Sequence, residues 1–370
     1  MKTVNLKGIL SSLFILSLVL QGYSKVIFSE QYDEQKIVFY FLVALCAMII
    51  FIDRLSLSDI IILLISSVAY IALGNGYALK LFLIVYAART FELNMLIKKM
   101  LAISIIFYIG VVFFGFGNID VGVFTRVSDS GRVIRETIGF DNPNKAFFFL
   151  VPIFISWVYL YGNKYKISSL FLIISVTFII YTLTYTVTGL IANILLSLLL
   201  IFSWLIPSLR TQSRTRIWMV IPITFILFII ISVYIAIAYQ ADSNINRILS
   251  ERPKLWYYFI ENYLNWSFIF GQAKEETVLP LDNSYIDALV HFGFIFILYL
   301  IYMYSKASKL VFKTRIDNSL FLILCLYILV YSLGETLFFE PAYNPSLLIV
   351  FNIVRMAKSE SINVCPRISS

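Results

Sequence analysis

Long runs of apolar side chains, separated by short polar segments, restrict this chain more than any other feature of its sequence. Hydrophobic residues make up 60% of its 370 positions and charged residues only 14%, whereas charged residues make up about 25% of a soluble domain. The runs lie near residues 6–20, 37–52, 60–73, 77–88, 100–117, 146–161, 167–183, 189–206, 217–238, 284–303, 318–333 and 345–356. A straight helix crosses a bilayer with about 20 apolar residues, and several runs are shorter than that. Together they predict an all-α polytopic membrane protein of about 12 transmembrane helices, folded as a single integral membrane domain over residues 1–370.

Lysine and arginine predict the orientation of these helices. With the N-terminus inside, most of the 29 Lys and Arg residues fall in inner segments, as the positive-inside rule requires. Both termini are therefore predicted to be cytoplasmic. The net charge of +8 then reflects this topology and attraction to anionic lipid. It is not evidence for nucleic acid, so membrane lipid is the expected partner.

The composition also excludes several kinds of chemistry. The chain has one histidine and three cysteines, which form no cluster with the spacing of a zinc or haem site. It has no P-loop and no GxGxxG motif, so it is not expected to hydrolyse ATP. We therefore predict no metal and no cofactor.

Two predicted outward loops, 118–145 and 239–283, carry arginines that the positive-inside rule does not predict. In the first loop, Arg126, Arg132 and Arg135 lie close together in sequence. One interpretation is that these arginines are simply solvated. Their position beside an apolar Gly-Phe segment at the membrane edge favours a function instead.

The first loop leads into a helix through residues 142–145, Asn-Pro-Asn-Lys. Asn is a good N-cap and Pro suits the first helical position, so a helix is predicted to begin here. Asn144 and Lys145 would then lie beside a helix N-terminus, where anions bind readily. With Arg135 upstream, they are predicted to form an anion site.

The second loop is predicted to contain a short helix that begins near Pro253. Trp256 and Phe259 fall on it at helical spacing, as in an interfacial helix anchored by aromatic side chains at headgroup level. Arg252 precedes this helix. A guanidinium there suits bidentate contact with phosphate, and the two interpretations are compatible.

Polar residues also open the run at 284–303. Asn283, Asp287 and His291 are spaced i, i+4 and i+8, so they are predicted to share one helix face, and Asp282 directly precedes them. Ionisable groups in a span usually face the bundle interior or a wet cavity. A lone His is more often a packing residue, but the amide and the acids make this stretch a candidate site.

A further pair of acids, Glu335 and Glu340, lies at the outer end of another run. Glu335 could equally be a cap or a packing contact. Most of the unusual polar groups are thus predicted near the outer leaflet. Such a site suits an anionic ligand in that leaflet, with an acid nearby to accept a proton.

The order of these motifs resembles that of Wzy-type polysaccharide polymerases (O-antigen and capsule polymerases), a family related to the O-antigen ligases. Residues 135–144 are similar to the family's R…lGf.hPN, and Asp282, Asn283 and Tyr285 with Gly293 are similar to its DN.Y…G. The other matching segments are residues 183–189, similar to its T.SRTG turn, and residues 249–271, similar to its l.gR…W…lfG. One departure is Val187, which stands where the family turn usually has arginine.

The resemblance implies a C-type glycosyltransferase-like bundle, metal-independent and inverting, in the bacterial cytoplasmic membrane. It implies a donor and an acceptor glycan linked to undecaprenyl pyrophosphate, with a flippase and a chain-length regulator as partner proteins. The donor pyrophosphate would meet Arg135, Asn144, Lys145 and Arg252. Asp282 or Glu335 would accept the acceptor's proton. Asn283, Tyr285 and His291 would support that site.

Two other functions stay open at this point. An O-antigen-type ligase would use the same donor and differ only in the acceptor, although ligases tend to carry His at the position of Asp282. A lipid-linked oligosaccharide flippase or another transporter would have a similar number of helices. It would place charges at mid-membrane depth, whereas here the charges cluster towards the predicted outer edge.

Overall fold

The computed structural model describes residues 6–28, 32–52, 55–114, 123–128, 131–205, 217–240, 243–249, 251–264, 266–273, 281–313 and 318–363. Most of these residues are α-helical. The helices are α1 (Leu6–Ile27), α2 (Tyr32–Ile52), α3 (Leu57–Leu73), α4 (Tyr77–Ala88), α5 (Leu93–Phe114), α6 (Pro143–Phe148), α7 (Val151–Tyr161), α8 (Lys166–Thr184), α9 (Val187–Leu205), α10 (Val220–Ala238), α11 (Ser243–Ile248), α12 (Arg252–Tyr263), α13 (Ser284–Asp287), α14 (Phe294–Lys313), α15 (Asn318–Tyr331) and α16 (Pro345–Asn363). Parts of both predicted outward loops, including 118–122 and 274–280, lie outside the described residues.

Eight segments of the described chain are long and apolar enough to cross a membrane. They are Leu6–Ile27, Asp33–Ile52, Leu93–Phe113, Pro143–Tyr161, Lys166–Thr184, Val187–Leu205, Ile217–Ala238 and Phe294–Phe312. Four shorter apolar helices, Leu57–Leu73, Tyr77–Ala88, Ser319–Tyr331 and Pro345–Met356, coincide with the remaining predicted runs. The chain is therefore an α-helical membrane-embedded protein, and a total of 12 crossings stays a prediction.

The backbone forms two compact units, each built from separate parts of the chain. The first comprises residues 1–54, 90–205 and 340–345, and the second residues 55–89, 206–339 and 346–370. The first therefore contains α1, α2 and α5 to α9, and the second contains α3, α4 and α10 to α15 with most of α16. The single integral membrane domain expected from the sequence stays a prediction.

A β-hairpin lies within the first predicted outward loop of a chain that was predicted to be all-α. Strand β1 (Val123–Ser128) pairs antiparallel with β2 (Gly131–Glu136), and Arg135 is opposite Phe124 in the register. Both strands are rich in β-branched residues, which favour extended backbone. The hairpin fixes the backbone of Arg135 immediately before the turn that leads to α6.

In the first unit, α1 packs against α2 and α5, α5 against α7, and α8 against α9. A close approach of α9 to α6 depends on Gly189. A Cβ added to this glycine would lie 2.2 Å from Cγ of Phe147, which no real side chain tolerates. The absence of a side chain at residue 189 thus lets the first turn of α9 lie against Phe147 of α6.

In the second unit, α10 packs against α12, α13, α14 and α15. The turn between α3 and α4 adds buried hydrogen bonds. Asn75 Nδ2 donates to the carbonyl of Phe270 at 2.9 Å and to that of His291 at 2.8 Å. Because these are backbone carbonyls, the bonds fix the path of the chain on either side of α13.

The predicted run at 284–303 is not one helix. Four α-helical residues of α13 are followed by a π-helix, Ala288–Phe292, and α14 begins only after Gly293. Gly293 has φ 96°, a conformation that side-chain-bearing residues rarely adopt. A Cβ there would also lie 2.4 Å from the carbonyl carbon of Phe270. The predicted run is therefore interrupted, and the membrane-length segment is Phe294–Phe312.

Candidate functional site

Of the predicted site residues in the first unit, Asn144 contacts Arg135, which is only 9% exposed. Its Nε donates to the carbonyl of Thr184 at 2.7 Å, and its Nη2 donates to Asn144 Oδ1 at 2.9 Å and to Thr186 Oγ1 at 2.8 Å. The arginine thereby joins the end of β2 to α6 and to the turn between α8 and α9. Its Nε and Nη2 are thus both bonded to the protein itself.

The start of α6 is capped as the sequence predicted. Asn142 is extended and its side chain accepts a bond from the Asn144 amide at 2.9 Å, with Pro143 at the first helical position. Lys145 forms an ion pair with Asp141, four residues earlier. The structure thus brings Arg135 and Asn144 together, whereas the charge of Lys145 is balanced by a neighbouring carboxylate.

In the second unit, Arg252 and Asp282 form an ion pair. Nη2 of the arginine lies 3.7 Å from Oδ2 of the aspartate, and the two side chains are 21% and 34% exposed. This separation exceeds that of a hydrogen bond. A guanidinium and a carboxylate thus face each other at a surface that solvent can reach.

The ion pair is held by a buried apolar cluster behind it. Trp256 and Phe259 of α12 pack with Leu281 and Ile286. Each buried aromatic or aliphatic side chain of this kind stabilises packing by about 1.5–3 kcal/mol. Because Arg252 begins α12 and Asp282 follows Leu281, packing of these apolar residues sets the distance between the two charges.

Asn283 and Tyr285 are fully or almost fully buried and hold the local backbone. Asn283 Oδ1 accepts bonds from the amides of Tyr285 and Ile286, and its Nδ2 donates to Ser232 Oγ at 3.1 Å. The Tyr285 hydroxyl donates to the carbonyl of Leu329 at 2.6 Å. These two residues support the position of Asp282 through the fold.

The predicted common face of Asn283, Asp287 and His291 assumed an α-helix throughout. The π-helix at Ala288–Phe292 has more residues per turn, so that spacing does not continue to His291. His291 is buried, and its ring centroid lies 6.2 Å from that of Phe259 and 6.4 Å from that of Tyr77. Its aromatic surroundings fit the packing interpretation.

Glu335 is also buried, with 7% exposure. Its backbone carbonyl accepts a bond from Ser284 Oγ at 2.7 Å, and the same hydroxyl accepts bonds from the amides of Leu337 and Phe338. Residues 335–338 are therefore tied to the start of α13, two residues from Asp282.

The side chains of Arg126 and Arg132 lie outside the described part of the chain.

Sequence reasoning missed two residues that organise these clusters, Asn75 and Thr186. Asn75 contacts residues far away in sequence, so no local pattern indicates it. Thr186 lies in residues 183–189, the segment similar to the T.SRTG turn. Its hydrogen bond to Arg135 depends on the β-hairpin, which was not predicted.

Neither protein-family models, nor curated proteins, nor solved structures gave a match to this chain. The resemblance drawn from motif order stays a prediction.

Proposed function

We propose that this chain is a polysaccharide polymerase, an inverting glycosyltransferase that needs no metal. It would join undecaprenyl-pyrophosphate-linked repeat units into a surface polysaccharide at the outer face of a bacterial cytoplasmic membrane. The observation that carries the proposal is the partly exposed pair Arg252–Asp282, because it combines the two charges such a transfer needs.

The proposed glycosyl transfer needs a cation and a base. A hydroxyl of the acceptor sugar attacks the anomeric carbon of the donor while the bond from that carbon to the pyrophosphate oxygen breaks. The leaving group takes the bonding electrons, and a base takes the hydroxyl proton. Arg252 is the cation proposed to stabilise the leaving pyrophosphate, and Asp282 is the proposed base.

Three features of the site support these assignments. A guanidinium presents two parallel N–H donors that match phosphate oxygens. The side chains of the pair are 21% and 34% exposed, so a ligand can reach Arg252 from solvent. Asp282 is more exposed than Glu335, and a base must reach the sugar hydroxyl. Glu335 is therefore the second carboxylate to test.

Analysis of glycan chain length in a strain lacking the protein tests this function. Loss of a polymerase should leave single repeat units attached to their final acceptor. Unattached polymer would indicate a ligase, and repeat units retained inside the cell would indicate a flippase. Either of these two results would overturn the proposal, and the wild-type chain should restore long polymer.

The proposed orientation, with both termini in the cytoplasm, has its own test. Cysteines introduced singly at Ser213 and Ser243 should differ in labelling by a reagent that does not cross the membrane. Ser213 should be shielded and Ser243 reactive. The reverse pattern, or labelling at both, would contradict the orientation.

A further inference from the structure

The orientation of the Asn144 amide is determined by its neighbour. Arg135 Nη2 can only donate, so the atom of Asn144 that lies 2.9 Å from it must be the carbonyl oxygen. Thr186 Oγ1 lies 3.4 Å from the same oxygen. The amide nitrogen, with its two N–H donors, therefore points away from Arg135.

Those two donors have no acceptor in the described part of the chain. Asn144 is half-buried, and its Nδ2 makes no hydrogen bond to any residue that the structure describes. The positive charge of Arg135 at the oxygen end polarises the amide, and a polarised N–H group is a stronger donor. The arrangement suits an anionic oxygen.

We propose that Arg135 acts through Asn144: the arginine is a positioning residue, and the Asn144 amide makes the contact with an anionic phosphoryl oxygen of the ligand. The proposal rests on the function proposed above, which supplies a pyrophosphate-linked ligand. It differs from the direct arginine–pyrophosphate contact that the motif resemblance implies, because Nε and Nη2 of Arg135 are bonded to Thr184, Thr186 and Asn144.

Two isosteric substitutions separate this contact from a structural role. Asn144→Asp keeps an oxygen for Arg135, so the local fold is retained, but it removes both N–H donors and adds a negative charge. Asn142→Asp adds the same charge two residues away and keeps the capping oxygen that accepts from the Asn144 amide. Asp is as good an N-cap as Asn, so the Asn142 variant is the matched control.

The probe is inorganic pyrophosphate, titrated by calorimetry against the purified full-length protein in lipid nanodiscs. Asn144→Asp should weaken pyrophosphate binding by about ten- to a hundredfold, the usual effect of losing a hydrogen bond to a charged group. Asn142→Asp should bind as the wild type does. Unchanged binding by Asn144→Asp, equal loss in both variants, or no binding by the wild type would each overturn the proposal.

A double-mutant cycle tests the positioning role of Arg135. Arg135→Lys should weaken pyrophosphate binding by itself, but should add nothing in the Asn144→Asp background, because no donors are left to position. An additional loss in the double variant would mean that Arg135 contacts the anion directly, which overturns the proposal. If pyrophosphate binding follows these expectations while the deletion strain makes normal polymer, the proposed function fails and the Arg135–Asn144 contact stands.

Discussion

Arg135 and Arg252 are the same kind of residue in two different settings. Arg135 is 9% exposed and donates to a carbonyl, an amide oxygen and a hydroxyl of its own unit. The Arg252 side chain is 21% exposed and lies 3.7 Å from the Asp282 carboxylate. One arginine is therefore buried within the fold, and the other is partly exposed where a ligand can reach it. Arg135 is expected to stabilise the protein, and Arg252 to act on the substrate.

The largest effect is expected for Asp282→Asn. Asparagine keeps the shape of the side chain but removes its basicity, and loss of a general base commonly slows a reaction by about 10²–10⁴-fold. Cells with this variant should keep lipid-linked repeat units and lose polymer, as seen on glycan gels. Asp33→Asn, at an exposed ion pair on α2, is the control and should make normal polymer. Wild-type chain length with Asp282→Asn would remove this residue from the mechanism.

The next largest effect is a loss of stability, which should be larger for Arg135→Ala than for Arg252→Ala. Arg135→Ala leaves the Thr184 carbonyl, Asn144 Oδ1 and Thr186 without this donor, and a buried polar group left unsatisfied costs about 1–3 kcal/mol. The melting temperature of the purified protein should fall by an amount that corresponds to about 2–4 kcal/mol. Arg252→Ala should lower it much less, because its ion pair is partly exposed. Equal shifts would contradict the contrast between the two settings.

The smallest effect is expected for Lys145→Ala. Lys145 and Asp141 are 32% and 42% exposed, and an exposed ion pair stabilises a protein by less than about 1 kcal/mol. The charge of Lys145 is already balanced, so polymer should fall less than with Arg252→Ala. Complete loss of polymer at normal protein levels would place Lys145 in direct contact with the ligand.

The apolar runs predicted the helices well, because hydrophobic length is read directly from the sequence. The cap at Asn142 was also predicted and is confirmed, since capping depends on local residue type. The β-hairpin was missed, although two stretches with β-branched residues joined by Ser-Asp-Ser-Gly are a hairpin signal. The helix break at Gly293 was missed because a glycine within an apolar run does not by itself show whether the helix continues or ends there.

The sequence indicated which residues to consider for the candidate site, but not how they are arranged. Arg252 and Asp282 were both named from the sequence, but their approach depends on packing of α12 against Leu281 and Ile286, which no local pattern shows. Asn283 was expected on a face with His291. It is instead the cap of α13, and the π-helix changes the spacing beyond it. Hydrogen bonds between residues that are far apart in sequence, such as that of Asn75, can be identified only once the fold is known.

The most direct test of the account is the polymer made by Arg252→Lys at wild-type protein levels in the deletion strain. Lysine keeps the positive charge but loses the two-pronged geometry that suits phosphate. If Arg252 holds the leaving pyrophosphate, this variant should make no more than about a tenth of the wild-type polymer, and Arg252→Ala should make about 10²–10³-fold less than the wild type. Full polymer with Arg252→Lys would show that only charge matters at this position, and the placement of the pyrophosphate beside Arg252 would be wrong.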